Sequence, residues 1–454
     1  MYIEDDLQRK LEEINTDDLM IRCVTFFLNT ASCIRGDVDS TALALRDLIE
    51  ERLKDVENIR REVAEELGTP IWTIRLAVSP ISRLLDALSS SRSGGELEEY
   101  GLALAEAICS GRKNVKINLA GGYSANVERD FTRGSLSLIS SLPKVLSKTD
   151  ALYSNIGVAS SISGWNLRAI KLLGEVIPKV AWEQPEKNGF DLSKLLVSTN
   201  ISGMTPYFPA ATHVDGLPDF GVAVGLLNVE VLRKALKSKN GGLDEVYKRC
   251  MLASFKTTVI GEKVGLRIAS KSGASFIGVD ATISPWMEKS IALLIEDMGV
   301  DRFGGHGTTF ALALLNQALK RGALSATDKV LGYTGAMTPM AEDSGIMKAV
   351  RDGEVSLEKL EALTAVCSMG MDMIVVPGDT PSQVISGIIA DQTAIGVVNN
   401  KPVGVRIIVA PGAKPGDTVD LRTFGKVPVI ECSKSGIRRL MGMEEGLRES
   451  KGER

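Results

Sequence analysis

Two stretches set carboxylates where apolar residues dominate. TGAMTPMAEDSG (334–345) puts Glu342 and Asp343 side by side after an apolar segment, and CSMGMDMIVVPG (367–378) holds Asp372 inside a strand-like run. A buried carboxylate is costly unless a cation or hydrogen-bond donors compensate it. These acids, with Asp219 in THVDGLPDFG, are therefore candidate ligands for one or two hard divalent cations, Mg²⁺, Mn²⁺ or Ca²⁺. The plainer reading is that Glu342 and Asp343 complement the start of the helical run SGIMKAV. Asp280 in FIGVDATIS repeats the isolated acid, and Asp215 follows His213 closely. Asp379 precedes TPSQ, which reads as a capping box with proline at the first helical position. For Asp280 and Asp391 both a ligand and a structural role stay open.

The chain has only two histidines, His213 and His306, and either is a candidate to move protons in catalysis. His306 lies in GGHGTTFALALLNQALK (304–320), where Gly305, Gly307 and Thr308 lead into an amphipathic helix. Unpartnered amides at such a helix start can cradle an anion, with the imidazole as proton carrier; a glycine turn with a threonine cap is the alternative. No G-K-[ST] follows, so this is no nucleotide P-loop. Ser163, Gly164 and Asn166, in SNIGVASSISGWN, form a second candidate set for contacts to an anion. Cys367 stands among small residues as either a nucleophilic thiol or a buried free cysteine.

The elements that must position these groups alternate. DLMIRCVTFFLNTAS, TIRLAVSPI, VKINLAGGYSA, ALYSNIGVAS, KLLVSTNIS, SFIGVDATIS, MDMIVVPG and VGVRIIVAPG read as strands. Helical spacing marks 40–67, GELEEYGLALAEAICSG, NLRAIKLLGEVI, NVEVLRKALKS, 242–270, SIALLIEDMG and TTFALALLNQALK. This alternation predicts an α/β fold, one large body over residues 1–435 with a mostly parallel sheet or barrel. Residues 1–19 are expected as a peripheral helix and 436–454 as a charged tail. The small-residue loops after the strands place the ligand site at the strands' carboxyl ends.

Composition narrows the partners. A net charge of -4 gives no reason to expect nucleic acid. Six scattered cysteines with no C-x-x-C pair argue against a zinc ribbon or disulfide framework and for a reducing cytoplasm. No apolar run is long enough to span a membrane, and the start MYIEDDLQRKLEE is acidic and polar, unlike a secretory signal. Apolar faces on the long helices suit a homo-oligomer.

The segments AVSPIS, AGGYSA, VDATISP, GGHGTTFALALLNQALKRG, GAMTPMAEDSGIM, TAVCSMGMDMIVVPGDTP and IIADQTAIGVVNNKPVGVRII together identify a family. Over residues 20–430 the chain resembles uncharacterised protein family 0210, the pyruvate-formate-lyase-like domain of unknown function 711. That resemblance implies the ten-stranded α/β barrel of glycyl-radical enzymes. The radical chemistry is not expected, because no R-V-x-G-Y-type loop lies near the C-terminus and Cys367 has no adjacent cysteine. The functional expectation is a metal-dependent enzyme acting on a small anionic metabolite, with hydrolysis of a phosphate ester foremost. A lyase or isomerase acting on a small carboxylate, and a non-catalytic small-molecule sensor, are the alternatives.

Overall fold

In the segment Ile71–Val78, Ile74, Leu76 and Val78 pack into the main hydrophobic cluster, whereas Thr73, Arg75 and Ala77 face an inner space. That is the period of two expected when both faces of a strand are covered and only one of them is uniformly apolar. The computed structural model describes residues 2–89, 94–237 and 241–438.

Among the described residues thirteen strands form: β1 Met20–Leu28, β2 Ile71–Val78, β3 Leu119–Gly121, β4 Ala125–Asn126, β5 Leu152–Ser160, β6 Gly164–Trp165, β7 Leu195–Thr199, β8 Phe220–Leu227, β9 Ser275–Asp280, β10 Gly370–Pro377, β11 Val403–Ala410, β12 Thr418–Asp420 and β13 Lys426–Pro428. Eleven share one sheet in the order β10-β11-β7-β5-β3-β2-β1-β8-β9, with β4 and β6 on β5. β1, β2, β3, β5 and β7 run parallel; β8 joins β1 and β11 joins β7 antiparallel. β9 is parallel to β8, and β10 to β11. The result is an α/β body with a large, mostly parallel sheet in two opposed halves. Segment 330–336 extends the second half: Val330 pairs with Val279, Ala336 pairs with Ile283, and the Ala336 carbonyl accepts the Ser368 N–H at 3.0 Å.

Helices cover the outer face and bury their apolar stripes in the same cluster, among them Gly94–Asn114, Arg133–Lys148, Leu167–Glu183, Leu243–Ser272, Thr308–Ala326 and Ser382–Val398. The peripheral N-terminal helix is Tyr2–Glu13, held against Leu243–Ser272 by Lys10–Glu245 (2.7 Å) and by Lys256, whose ammonium donates to the Ile14 carbonyl (2.7 Å). Residues 439–454 of the expected charged tail lie outside the described residues.

Three expectations need correcting. The helix expected over 40–67 is two, Val38–Leu53 and Val56–Leu67, the first capped by the Asp37 side chain on the Ser40 N–H. β8 is a strand that alternation with glycine (FGVAVGLL) hid: a Cβ at Gly225 would lie 2.8 Å from both the Cys23 sulfur and the Tyr207 ring, so the site demands no side chain. The helix after Asp379 starts at Ser382 with Pro381 as its cap residue. Thr380 instead donates to the Pro377 carbonyl at 2.7 Å, and Asp379 takes Lys434 at 2.8 Å.

Two stretches occupy the inner side of the sheet, 205–211 and 332–337. Asp280, fully buried, ties them together. Its carboxylate accepts the Thr205 hydroxyl (2.9 Å), the Tyr333 and Thr334 N–H groups (3.0 Å each), and the Thr282 hydroxyl (2.5 Å) and N–H (3.1 Å). Gly332, at φ +68°, is required: a Cβ there would sit 1.9 Å from the Asp280 carboxylate. Tyr207 donates to the Leu226 carbonyl at 2.6 Å and so pins the first stretch to β8. Asp280 is thus a structural tie, with burial pushing its carboxyl above the usual range against those donors.

Candidate functional site

The strands turn charged residues into a cavity of about 340 Å³ on the inner side of the sheet. Arg22 comes from β1, Arg75 from β2, Tyr153 from β5, Asp372 from β10 and Arg406 from β11, while Glu342 arrives on the loop after segment 330–336. Local irregularities aim two of them. The ladder shifts register between Ile21 and Cys23 on β1 and between Met371 and Ile374 on β10, beside Arg22 and Asp372 respectively. Met373 takes the left-handed conformation, φ +54°. Bulges of this kind re-aim side chains at functional sites, and a non-glycine residue held at positive φ stores strain.

The buried charges form a chain. Arg406 grips Asp372 with Nε and Nη2 (Nη2 to Oδ2, 2.7 Å), gives Nη2 to Glu342 Oε1 at 2.9 Å, and donates Nη1 to the Ser193 carbonyl at 3.2 Å. Glu342 Oε2 accepts Arg22 Nη2 at 2.9 Å. Arg22 stands beside two indoles that meet edge to face at 5.0 Å, 5.2 Å from the Trp72 ring and 5.0 Å from Trp286. Burial works to depress Arg406, but Asp372 and Glu342 outweigh it and hold the guanidinium above its ordinary value. Burial pushes Asp372 up, and Arg406, in two-pronged contact with it, opposes the rise. Burial lowers Arg22, with Glu342 countering.

Arg75 differs. It is 6 % exposed. Among the described residues its one hydrogen bond runs from Nε to the Thr73 hydroxyl (3.1 Å), and no carboxylate lies within ion-pair distance. Its guanidinium stands 5.5 Å over the Phe208 ring, which also packs against Tyr153 at 5.4 Å. Burial raises the Tyr153 phenol and Arg75 pulls it back. Leu119, Met337 and Met369 complete an apolar wall, and Phe424, 5.8 Å from Trp286, also lines the cavity. An uncompensated cation beside an apolar wall is the electrostatic signature of an anion site.

The cavity does not sit where the strand-end loops pointed. Arg22, Leu119 and Tyr153 stand near the amino ends of β1, β3 and β5, whereas Ser284 and Trp286 follow the carboxyl end of β9. The two halves of the sheet are opposed, and the cavity also takes mid-strand residues, Arg75 on β2 and Arg406 on β11, and Asp372 near the amino end of β10.

The expected metal ligands do not come together. Glu342 and Asp372 share the cavity but are taken by Arg22 and Arg406. Asp343, next to Glu342, turns away: it accepts Ser290 Oγ (2.5 Å) and the N–H groups of Ile291 (2.6 Å), Ala292 (3.4 Å), Gly345 (2.9 Å) and Ile346 (3.1 Å), serving the starts of helices Ile291–Asp297 and Ser344–Arg351. Burial pushes its carboxyl up to about 6. Asp219 is exposed and accepts the Asn29 amide at 2.8 Å; Asp215 pairs with Arg83 at 2.6 Å, also in solvent. Among the described residues no group of three or more His, Cys, Asp or Glu is placed to hold a metal ion.

The other candidates are dispersed too. His306 is exposed, in a surface groove of about 370 Å³ lined also by Gly307 and Phe310, which shares no residue with the cavity. Gly307 is the cap residue of the helix Thr308–Ala326 and has no side chain to cap it, while the Thr308 hydroxyl accepts the Gly304 N–H at 3.0 Å. His213 is buried, with Nε2 3.1 Å from the Pro218 carbonyl. Asn166 caps the helix Leu167–Glu183 through the Ala169 N–H and donates to the Val127 carbonyl at 2.6 Å; Ser163 closes the β5–β6 turn and Gly164 opens β6, paired with Ser160. Cys367 is buried with its sulfur accepting the Gly370 N–H at 3.1 Å. A larger cleft of about 650 Å³ lies near Arg351, Glu358 and Glu431, all exposed, and collects no buried charge.

Residues 12–423 match the family described as Uncharacterised ACR (DUF711). A UPF0210 protein of Corynebacterium glutamicum is 39% identical over 430 residues, covering 94% of this chain and 91% of that protein. One from Thermoanaerobacter sp. is 37% identical over 437 residues, covering 94% of each. One from Methanocaldococcus jannaschii is 36% identical over 438 residues, covering 96% of this chain and 95% of its own length.

Proposed function

The chain belongs to the DUF711 family, and we propose that it binds a small organic anion in the central cavity, with Arg75 as the group that meets the negative charge. The observation that carries this reading is the buried Arg75 guanidinium, free of any carboxylate among the described residues while its neighbours Arg22 and Arg406 are both paired. The architecture supports it. The opposed halves β1-β2-β3-β5-β7 and β8-β9-(330–336)-β10-β11 would close as the two halves of the ten-stranded α/β barrel that the family resemblance implies, and the cavity would then lie in its interior.

Among reactions, a lyase or isomerase acting on a small carboxylate fits this cavity better than metal-assisted hydrolysis of a phosphate ester, whose ligand acids are occupied or elsewhere. Arg75 would hold the carboxylate, and the Tyr153 hydroxyl, on the same cavity wall, would carry the proton. A binding role without turnover is favoured by one observation: neither histidine lines the cavity, and both carboxylates buried in its wall are engaged by arginine.

Melting curves with added propionate or inorganic phosphate, at constant ionic strength, test the reading. The wild type should gain stability with at least one of them, and Arg75→Met should not, since a ligand bound only to the native state stabilises by mass action. Equal shifts in both proteins, or a shift abolished by His306→Ala instead, would overturn it.

A further inference from the structure

The charge on the cavity walls is uneven. Arg22, Arg75 and Arg406 bring three guanidinium groups and Glu342 and Asp372 two carboxylates, leaving one positive charge uncompensated. Asp150 also reaches the lining, but its side chain is 83% exposed and is screened by water. Resting on the reading that Arg75 holds an anion, we propose that the ligand is a monocarboxylate with a flat apolar body, and that the site discriminates against dicarboxylates and phosphate monoesters.

A second negative charge has nowhere to go. Each end of Arg406 is in use: Nε and Nη2 on Asp372, Nη2 also on Glu342, Nη1 on the Ser193 carbonyl. Arg22 gives Nη2 to Glu342 and Nη1 to the Pro285 carbonyl, with Trp72 and Trp286 beside it. A second anionic group directed there would face Glu342 and Asp372 directly. Directed elsewhere it would meet aromatic faces, which carry negative charge density, methionine, or the neutral hydroxyls of Thr73, Ser284 and Thr423, none of which supplies a balancing charge. A phosphate dianion on Arg75 would carry one charge more than the wall supplies.

The rest of the cavity selects the body. Phe208 and Tyr153 stand beside the Arg75 guanidinium, and Leu119, Met337 and Met369 line the space around them. Flat rings pack against such walls in offset or edge-to-face contact, and methionine adapts to their outline. The volume, about 340 Å³, equals roughly eleven water volumes at ~30 Å³ each, room for a ligand of about ten non-hydrogen atoms.

Calorimetry on the full wild-type chain at pH 7 decides the matter, with 3-phenylpropionate, 3-phenylpropionamide, phenylsuccinate, phenyl phosphate and propionate as probes. 3-Phenylpropionate should bind at least about tenfold more tightly than each of the others. Phenylsuccinate or phenyl phosphate binding as tightly would overturn the monoanion assignment and leave Arg75 as an anion site. Propionate binding as tightly would overturn the apolar body alone. The neutral amide binding as tightly, or no probe binding at all, would overturn this inference together with the reading it rests on.

Discussion

The central cavity and the turn at Gly305–Thr308 both answer to the description of an anion site, by different means. The turn offers backbone: glycines, a helix start and an exposed histidine in a shallow groove. The cavity offers side chains: three guanidinium groups on strands, buried, with one left without an acid. At the surface, water competes for every such contact and screens every charge. In the cavity Arg75 has lost most of its hydration without gaining a carboxylate, so it retains an unmet demand. The difference teaches that a chemically suggestive loop is a weaker indicator than an unbalanced charge in a buried wall.

The largest effect should come from breaking the cavity's ion-pair chain. Arg406→Met leaves Asp372 buried without its ion-pair partner and Glu342 with Arg22 alone, and denaturant unfolding should show a loss of about 3–5 kcal/mol. An effect as small as that of a surface change would mean the cavity is wetter than its burial indicates.

Next in size is Asp343→Asn, which removes acceptor capacity from a carboxylate serving five donors and should cost about 1–3 kcal/mol. It also carries a pH signature. Burial raises this carboxyl to about 6, so between the usual aspartate range and about 6 the native state holds a proton that the unfolded chain has released. Its contribution to stability therefore falls as pH rises through that window and is greatest at the acidic end. Stability against pH for wild type and Asp343→Asn should differ by this slope, and parallel curves would contradict the assignment.

Smaller still is Arg75→Met. Removing a buried cation without an acid partner should leave the ligand-free protein as stable or up to about 1 kcal/mol more stable, the converse of Arg406→Met. A loss above about 2 kcal/mol on the same measurement would place Arg75 in the structural network instead. The smallest effects belong to the surface: His306→Ala and Asp219→Asn should each stay within about 0.5 kcal/mol of wild type in unfolding and leave anion binding unchanged.

Much of the architecture was legible in the sequence, because apolar runs such as TIRLAVSP and VGVRIIVAP carry strand character that survives any topology. Glu342 and Asp372 were legible as cavity residues for a sound reason, the cost of burying a carboxylate. The inference from that cost stopped too early. Arg22, Arg75 and Arg406 sit in the middle of MIRCVTFFL, TIRLAVSP and VGVRIIVAP, and an arginine inside an apolar strand raises the same question as an aspartate does. Asked together, the two questions answer each other: the acids' cations are side chains of this chain. What no local pattern could supply is the pairing across 320 positions between Arg22 and Glu342, or that Asp343 turns away from the cavity that Glu342 enters.

A crystal structure of the protein grown with 3-phenylpropionate tests the central claim most directly. The expected result is a carboxylate within hydrogen-bond distance of the Arg75 guanidinium, the ring against Phe208 and Tyr153, and Glu342 still bridging Arg22 and Arg406. A ligand seated beside His306, or one in the cavity that leaves Arg75 without an anionic partner, would contradict it.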